Sequence, residues 1–139
     1  MNEANAAQGL NITIIPARDH AEGFLLVETD RAVAFMMDDI LEAGLVANSK
    51  DPSLYVISED TLSKPEPYGI MLRKDDPDFK KVVDAVMVKI FTSGQIEPIY
   101  NKWFLSPIPP KGINMNVPMS AAMKKQMVHP IDSGDPNDY

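Results

Sequence analysis

A chain of 139 residues that is 45% hydrophobic is long enough for one ordinary domain or two small lobes. Its 13 Lys and Arg against 20 Asp and Glu leave a net charge of −7, which argues against a general nucleic-acid or anionic-membrane surface, although local basic pockets stay open. With no cysteine there is no disulfide framework, thiolate metal site or thiol nucleophile; no apolar run approaches the roughly 20 residues that span a bilayer, and "MNEANAAQGL" lacks the basic-then-apolar pattern of a signal peptide.

The first apolar run, "NITIIPA" (11–17), is rich in β-branched residues, ends at a proline and reads as a buried strand. In "DHAEGFLLVETD" the period changes: Asp19 with Glu22 three residues later has capping-box spacing, so a helix of two to three turns follows. "RAVAFMM" (31–37) reads as a second strand, "ILEAGLVANS" as a second helix fraying near Gly44 to Asn48, and "LYVIS" (54–58) as a third strand. This alternation predicts an α/β fold of parallel βαβ units with right-handed crossovers.

"EDTLSKPEP" (59–67) is polar and proline-containing, hence a connection, and "YGIMLRK" (68–74) a further strand. The clearest helix follows: Asp76 can cap it, Pro77 takes its first position, Phe79, Val82, Val83, Val86, Met87, Ile90 and Phe91 repeat at spacings of three and four, and Gly94 ends it. The next helix carries Ile96, Ile99, Tyr100, Trp103 and Phe104 on one stripe, read as core, with Pro98 tolerable in the first turn. From Pro107 the prolines of "SPIPPKGINMNVP" favour an extended arm over a surface; Ser120 can cap "AAMKKQM", and "DSGDPNDY" reads as disordered.

Two adjacent carboxylates close the second strand. Asp39, with Glu42 three residues on, has the spacing of a helix N-cap. Asp38 is then either a second, weaker cap in a solvated turn or a side chain at the carboxyl end of a parallel strand, where open sheets bind ligands. His20, just past the first strand, emerges at the same edge if both strands belong to one sheet; it is either a surface histidine at a helix start or a donor beside the Asp38 acceptor. Together they would suit a ligand carrying both a carboxylate and an ammonium group. His20, His129 and scattered carboxylates give no metal-ligand spacing, and no Gly-rich phosphate loop or GxSxG elbow appears, so no metal, cofactor or nucleophilic centre is expected.

"DRAVAFMMDDILEAG", "YGIMLRKDDPDFKKVVD" and "NKWFLSPIPPKGINMN", in this order and spacing, resemble the glutamate/aspartate-binding proteins of bacterial ABC transporters, which are type II periplasmic binding proteins; the likeness runs from about Asn11 to about Met123. It implies a two-lobed clamp that closes on an amino acid and presents it to a membrane permease, in the periplasm, with no nucleic acid involved. Asp38 then matches the aspartate that takes the ligand ammonium, His20 in "RDHAEGF" a histidine near the side-chain carboxylate, and Tyr68 and Gly69 the strand crossing back between lobes. On this likeness residues 1–67 are the C-terminal part of lobe two and 68–139 the hinge strand, lobe-one helices and Pro-rich arm. Most of lobe one, the outgoing hinge strand and the arginine for the ligand α-carboxylate have no counterpart here, so the fold is expected to be incomplete and not binding-competent alone. Asp30 stands where relatives have a turn glycine, a position Asp tolerates at positive φ.

The alternative on the same fold is a dehydratase-like enzyme, whose general acid would have to be His20 or Glu22. Strands and helices left without partners would expose apolar faces, so a homodimer or higher oligomer is expected.

Overall fold

The computed structural model describes every residue except Leu62 and Pro65, so part of the connection expected over 59–67 lies outside the described residues. The chain divides into two compact units, residues 1–62 and 63–139.

The first unit contains α1 (Asn2–Gln8), α2 (His20–Glu28) and α3 (Asp39–Ala47), then a 3-10 turn, Pro52–Leu54. The sequence pattern does not predict α1, whose seven residues have no buried side chain; Gly9 closes it in the left-handed conformation, at φ 61. Helix α3 runs through Gly44 to Ala47, with Asn48 at its C-cap, and does not fray earlier. The unit is built around Gly23, Phe24 and Leu26 of α2 and Ala43 of α3, with the Phe24 and Tyr55 rings 5.0 Å apart. Asp30 adopts φ 57 in the turn after α2, the conformation its position demands.

The second unit contains α4 (Pro77–Thr92), α5 (Ile96–Phe104), α6 (Ala121–Val128) and a 3-10 turn, Pro136–Asp138. Asp76 caps α4 by accepting from the Phe79 amide at 3.2 Å, Pro77 sits at its start, and Gly94 turns the chain out of it at φ 77. Helix α4 packs against α6, and Lys80 of α4 pairs with both Asp84 and Asp132. The arm after α5 makes a tight turn in which Gly112 N–H donates to Ile108 C=O at 2.9 Å, then runs back so that Val117 N–H donates to Phe104 C=O and Tyr100 Oη to Pro118 C=O. Ser120 caps α6 as expected. The C-terminal residues do not match the disordered reading: Asp135 caps the last turn and Tyr139 Oη donates to Ser133 C=O at 2.6 Å.

The expected parallel βαβ units are not seen as such. Among the described residues no strand ladder forms; there is one isolated bridge, between Ile108 and Ile113. Runs 11–17, 31–37 and 68–74 contain no paired strand, and Leu54 of the third run belongs to the 3-10 turn instead. Extended backbone becomes a strand only when a neighbour takes its N–H and C=O groups, a non-local condition that β-branched composition cannot meet by itself. The same runs leave apolar side chains in water: Val33, Val56 and Met71 are 103%, 93% and 96% exposed. The chain's accessible surface is 10,918 Å². Separate domains of the two units' lengths would expose about 8,700 Å² in total. The aromatic stripe of α5 is likewise only partly core: Tyr100 and Phe104 stack at 4.4 Å and are half-buried, whereas Ile99 and Trp103 are exposed and Lys102 lies over the Trp103 ring.

Candidate functional site

Both candidate ligand-binding residues stand at helix starts in the first unit, and both are exposed. His20 is the first residue of α2. Asp19 precedes it in extended conformation and accepts from the Glu22 amide at 2.8 Å, the expected cap. The second half of the capping box is altered. The Glu22 carboxylate does not return to the Asp19 amide; it takes the Arg18 backbone N–H at 2.7 Å and the Arg18 guanidinium at 3.0 and 3.3 Å. The Arg18 side-chain bond, then its backbone bond, hold the Glu22 carboxyl below its ordinary value. Arg18 and Glu22 are four apart, a spacing legible in the sequence as an ion pair but not singled out by it. The ion pair with Arg18 favours the charged form of Glu22, which works against a general-acid role for it.

The aspartate pair is shifted by one residue from the sequence reading. Asp38, not Asp39, is the N-cap residue of α3: its backbone is still extended, at φ −65 and ψ 135, and its carbonyl accepts from Leu41 and Glu42. Its side chain makes no capping bond. Asp39 is already helical and its Oδ1 accepts from the Ile40 amide at 2.7 Å, satisfying one of the orphan first-turn donors from the position after the cap. Glu42 is thus four residues past the cap rather than three. Burial pushes the Glu42 carboxyl up, and a hydrogen bond from the Met37 amide, the lesser effect, acts against it.

A depression of about 270 Å³ beside α2 is lined by Ile15, Pro16, Glu22, Leu25, Thr29 and Arg31, and neither His20 nor Asp38 belongs to its wall. Arg31, in the turn after α2, is the lining cation that sequence reasoning passed over. No cluster of three or more His, Cys, Asp or Glu that could hold a metal occurs among the described residues, and no helix among them is long and apolar enough to cross a membrane.

No family model matches the chain. Among curated proteins it is 48% identical over 128 residues to the L-glutamate/L-aspartate-binding protein of Pseudomonas aeruginosa, covering 92% of this chain and 42% of that one. It is 47% identical over 132 residues to the glutamate/aspartate import solute-binding protein of Escherichia coli, covering 95% and 43%. A more distant relative, 26% identical over 94 residues, is the ABC transporter glutamine-binding protein of Bacillus subtilis, matched over 66% of this chain and 32% of its own length. The chain therefore spans about two fifths of the length of the first two relatives. Over nearly all of its own residues, this chain is a homologue of the glutamate/aspartate-binding proteins of ABC transporters.

Proposed function

We propose that the chain is a portion of the solute-binding component of an amino-acid ABC importer, and that the complete protein closes two lobes on glutamate or aspartate in the periplasm and delivers it to a permease. The observation that carries this reading is the 47–48% identity to glutamate/aspartate-binding proteins across more than nine tenths of the chain. On this reading residues 1–67 belong to one lobe and 68–139 return to the other, and runs 11–17, 31–37, 54–58 and 68–74 are strands whose neighbours lie in the remaining three fifths of such a protein. Asp38 would take the ligand ammonium: it stands at the surface at the start of α3, as the matching aspartate of the resemblance requires. His20, at the start of α2 and exposed, would meet the side-chain carboxylate as a donor. Binding rather than catalysis is favoured by the names of the relatives and by the Arg18 clamp on Glu22.

The test is calorimetric titration of L-glutamate and L-aspartate into this chain fused behind the missing part of the Pseudomonas aeruginosa relative, beside the 139-residue chain by itself. Tight binding by the fusion, lost in Asp38→Ala, is expected, with none by the chain alone. A fusion that folds cooperatively yet binds neither amino acid would overturn the assignment.

A further inference from the structure

The segment from Glu66 to Arg73 contains no helix, bridge or turn, Lys74 opens the turn at 74–75 that follows it, and the whole stretch "EPYGIMLRK" lies in the second unit. Among the described residues, Gly69 to Arg73 make no backbone–backbone hydrogen bond. Tyr68, Ile70 and Met71 are 70%, 60% and 96% exposed. Such an edge is a template for strand addition. What it would accept follows from its own side chains.

Paired as a strand that takes in Lys74 from the edge of its turn, the segment would place Glu66, Tyr68, Ile70, Leu72 and Lys74 on one face, because successive strand residues point to opposite faces. That set is palindromic in character: acid, apolar, apolar, apolar, base. We infer that this segment pairs with the same segment of a second copy, antiparallel, with Ile70 on the two-fold axis. In that register Ile70 faces Ile70, Tyr68 faces Leu72 twice, and Glu66 faces Lys74 twice, giving an apolar centre closed at both ends by opposite charges. Neither Glu66 nor Lys74 enters an ion pair among the described residues.

The proline fixes the phase of the ladder. With Ile70 as a hydrogen-bonded pair, the donors required are the amides of residues 66, 68, 70, 72 and 74; Pro67, which has no N–H, falls at a non-hydrogen-bonded position where none is needed. The opposite phase would ask Pro67 to donate. Gly69 faces Met71 across the pair, and a Cβ at Gly69 would meet nothing within 4 Å, so the long Met71 side chain has room. The pairing uses none of the residues assigned to ligand and is inferred for the 139-residue chain, since on the proposed reading the complete protein supplies run 68–74 with neighbours of its own.

The test is light scattering on the 139-residue chain at tens of micromolar, with charge reversals at both ends of the segment. The chain is expected to be a dimer. Glu66→Lys and Lys74→Glu should each weaken dimerisation on the order of tenfold or more, although one lowers and the other raises the net negative charge. Mixing the two variants should restore dimers, since every facing pair is again one Lys against one Glu. Ile70→Cys in this cysteine-free chain should cross-link to itself under oxidised glutathione, the pair lying about 5.5 Å apart at Cα. Met71→Cys should not, because its own copy lies diagonally at about 7–8 Å. A monomer throughout, a mixture no more associated than its components, or equal cross-linking at both positions would overturn the register.

Discussion

Gly23 lies so close to the ring of Phe35 that a β-carbon built on it would stand 2.4 Å from Cε2 and 2.9 Å from Cδ2. An α-helical glycine ordinarily costs about 1 kcal/mol relative to alanine, so Gly23→Ala would be stabilising in an open helix. Here the ring must move, and overpacking costs about 1–3 kcal/mol. Gly23→Ala should therefore lower the stability of the first unit, by up to about 2 kcal/mol net of the helix gain. Combining it with Phe35→Leu should cost less than the two single changes added together in denaturant titrations; strict additivity would show that the ring is not the obstacle.

The three aspartates at the starts of α2 and α3 should fail differently. Asp19→Ala removes a side-chain cap and should cost about 0.5–2 kcal/mol. Asp38→Ala removes no side-chain cap and should cost less than Asp19→Ala, while abolishing amino-acid binding in the complete clamp. Asp39→Ala, losing the bond to the Ile40 amide, should fall between them. Thermal melts ranking Asp38→Ala as the most damaging would contradict the cap assignment.

Glu42 supplies a pH test. Burial raises its carboxyl in the folded chain, so the folded state holds that proton more tightly than the unfolded one. Stability from this group is greatest when it is protonated and declines as pH rises from the ordinary glutamate value of about 4.3 through the raised one. Glu42→Gln should be more stable than the parent at pH 7, with the advantage shrinking as pH falls towards 4. An advantage that grows on acidification would reverse the sign.

Gln126, buried on α6, anchors the chain beyond the helix by accepting from the Ile131 amide at 2.8 Å. Gln126→Ala should cost about 0.5–1.5 kcal/mol for the lost bond, and amide exchange at Ile131 should accelerate while that of α5 does not. Unchanged exchange at Ile131 would show that the segment is held by other contacts.

What was legible in the sequence was local. Asp19, Asp76 and Ser120 each cap the helix their spacing announced, Pro77 opens α4, and Asp30 takes the positive φ read from its turn position. The aspartate pair was misjudged by one residue because both neighbours have cap chemistry, and only the backbone of Asp38 decides where the helix begins. Strand pairing was not legible, since runs such as 31–37 and 68–74 carry strand composition but depend on partners elsewhere in sequence. The same limit applies to the α5 stripe: periodicity marks Ile99 and Trp103 as apolar-faced, not as covered. For the site, residue type nominated His20 and Asp38 as candidates, and both stand exposed at helix starts, whereas the Arg18 grip on Glu22 emerges only in three dimensions.

The surface left uncovered by the extended runs also determines how the chain comes apart. Denaturant sensitivity and the heat-capacity change of unfolding both scale with newly hydrated area. Residues such as Val33, Val56 and Met71 are already hydrated in the folded chain and contribute almost nothing to either quantity. An isolated copy should accordingly unfold over a broad range of urea and with a shallow calorimetric baseline step, and any partner that covers these runs should sharpen the transition as well as raise its midpoint.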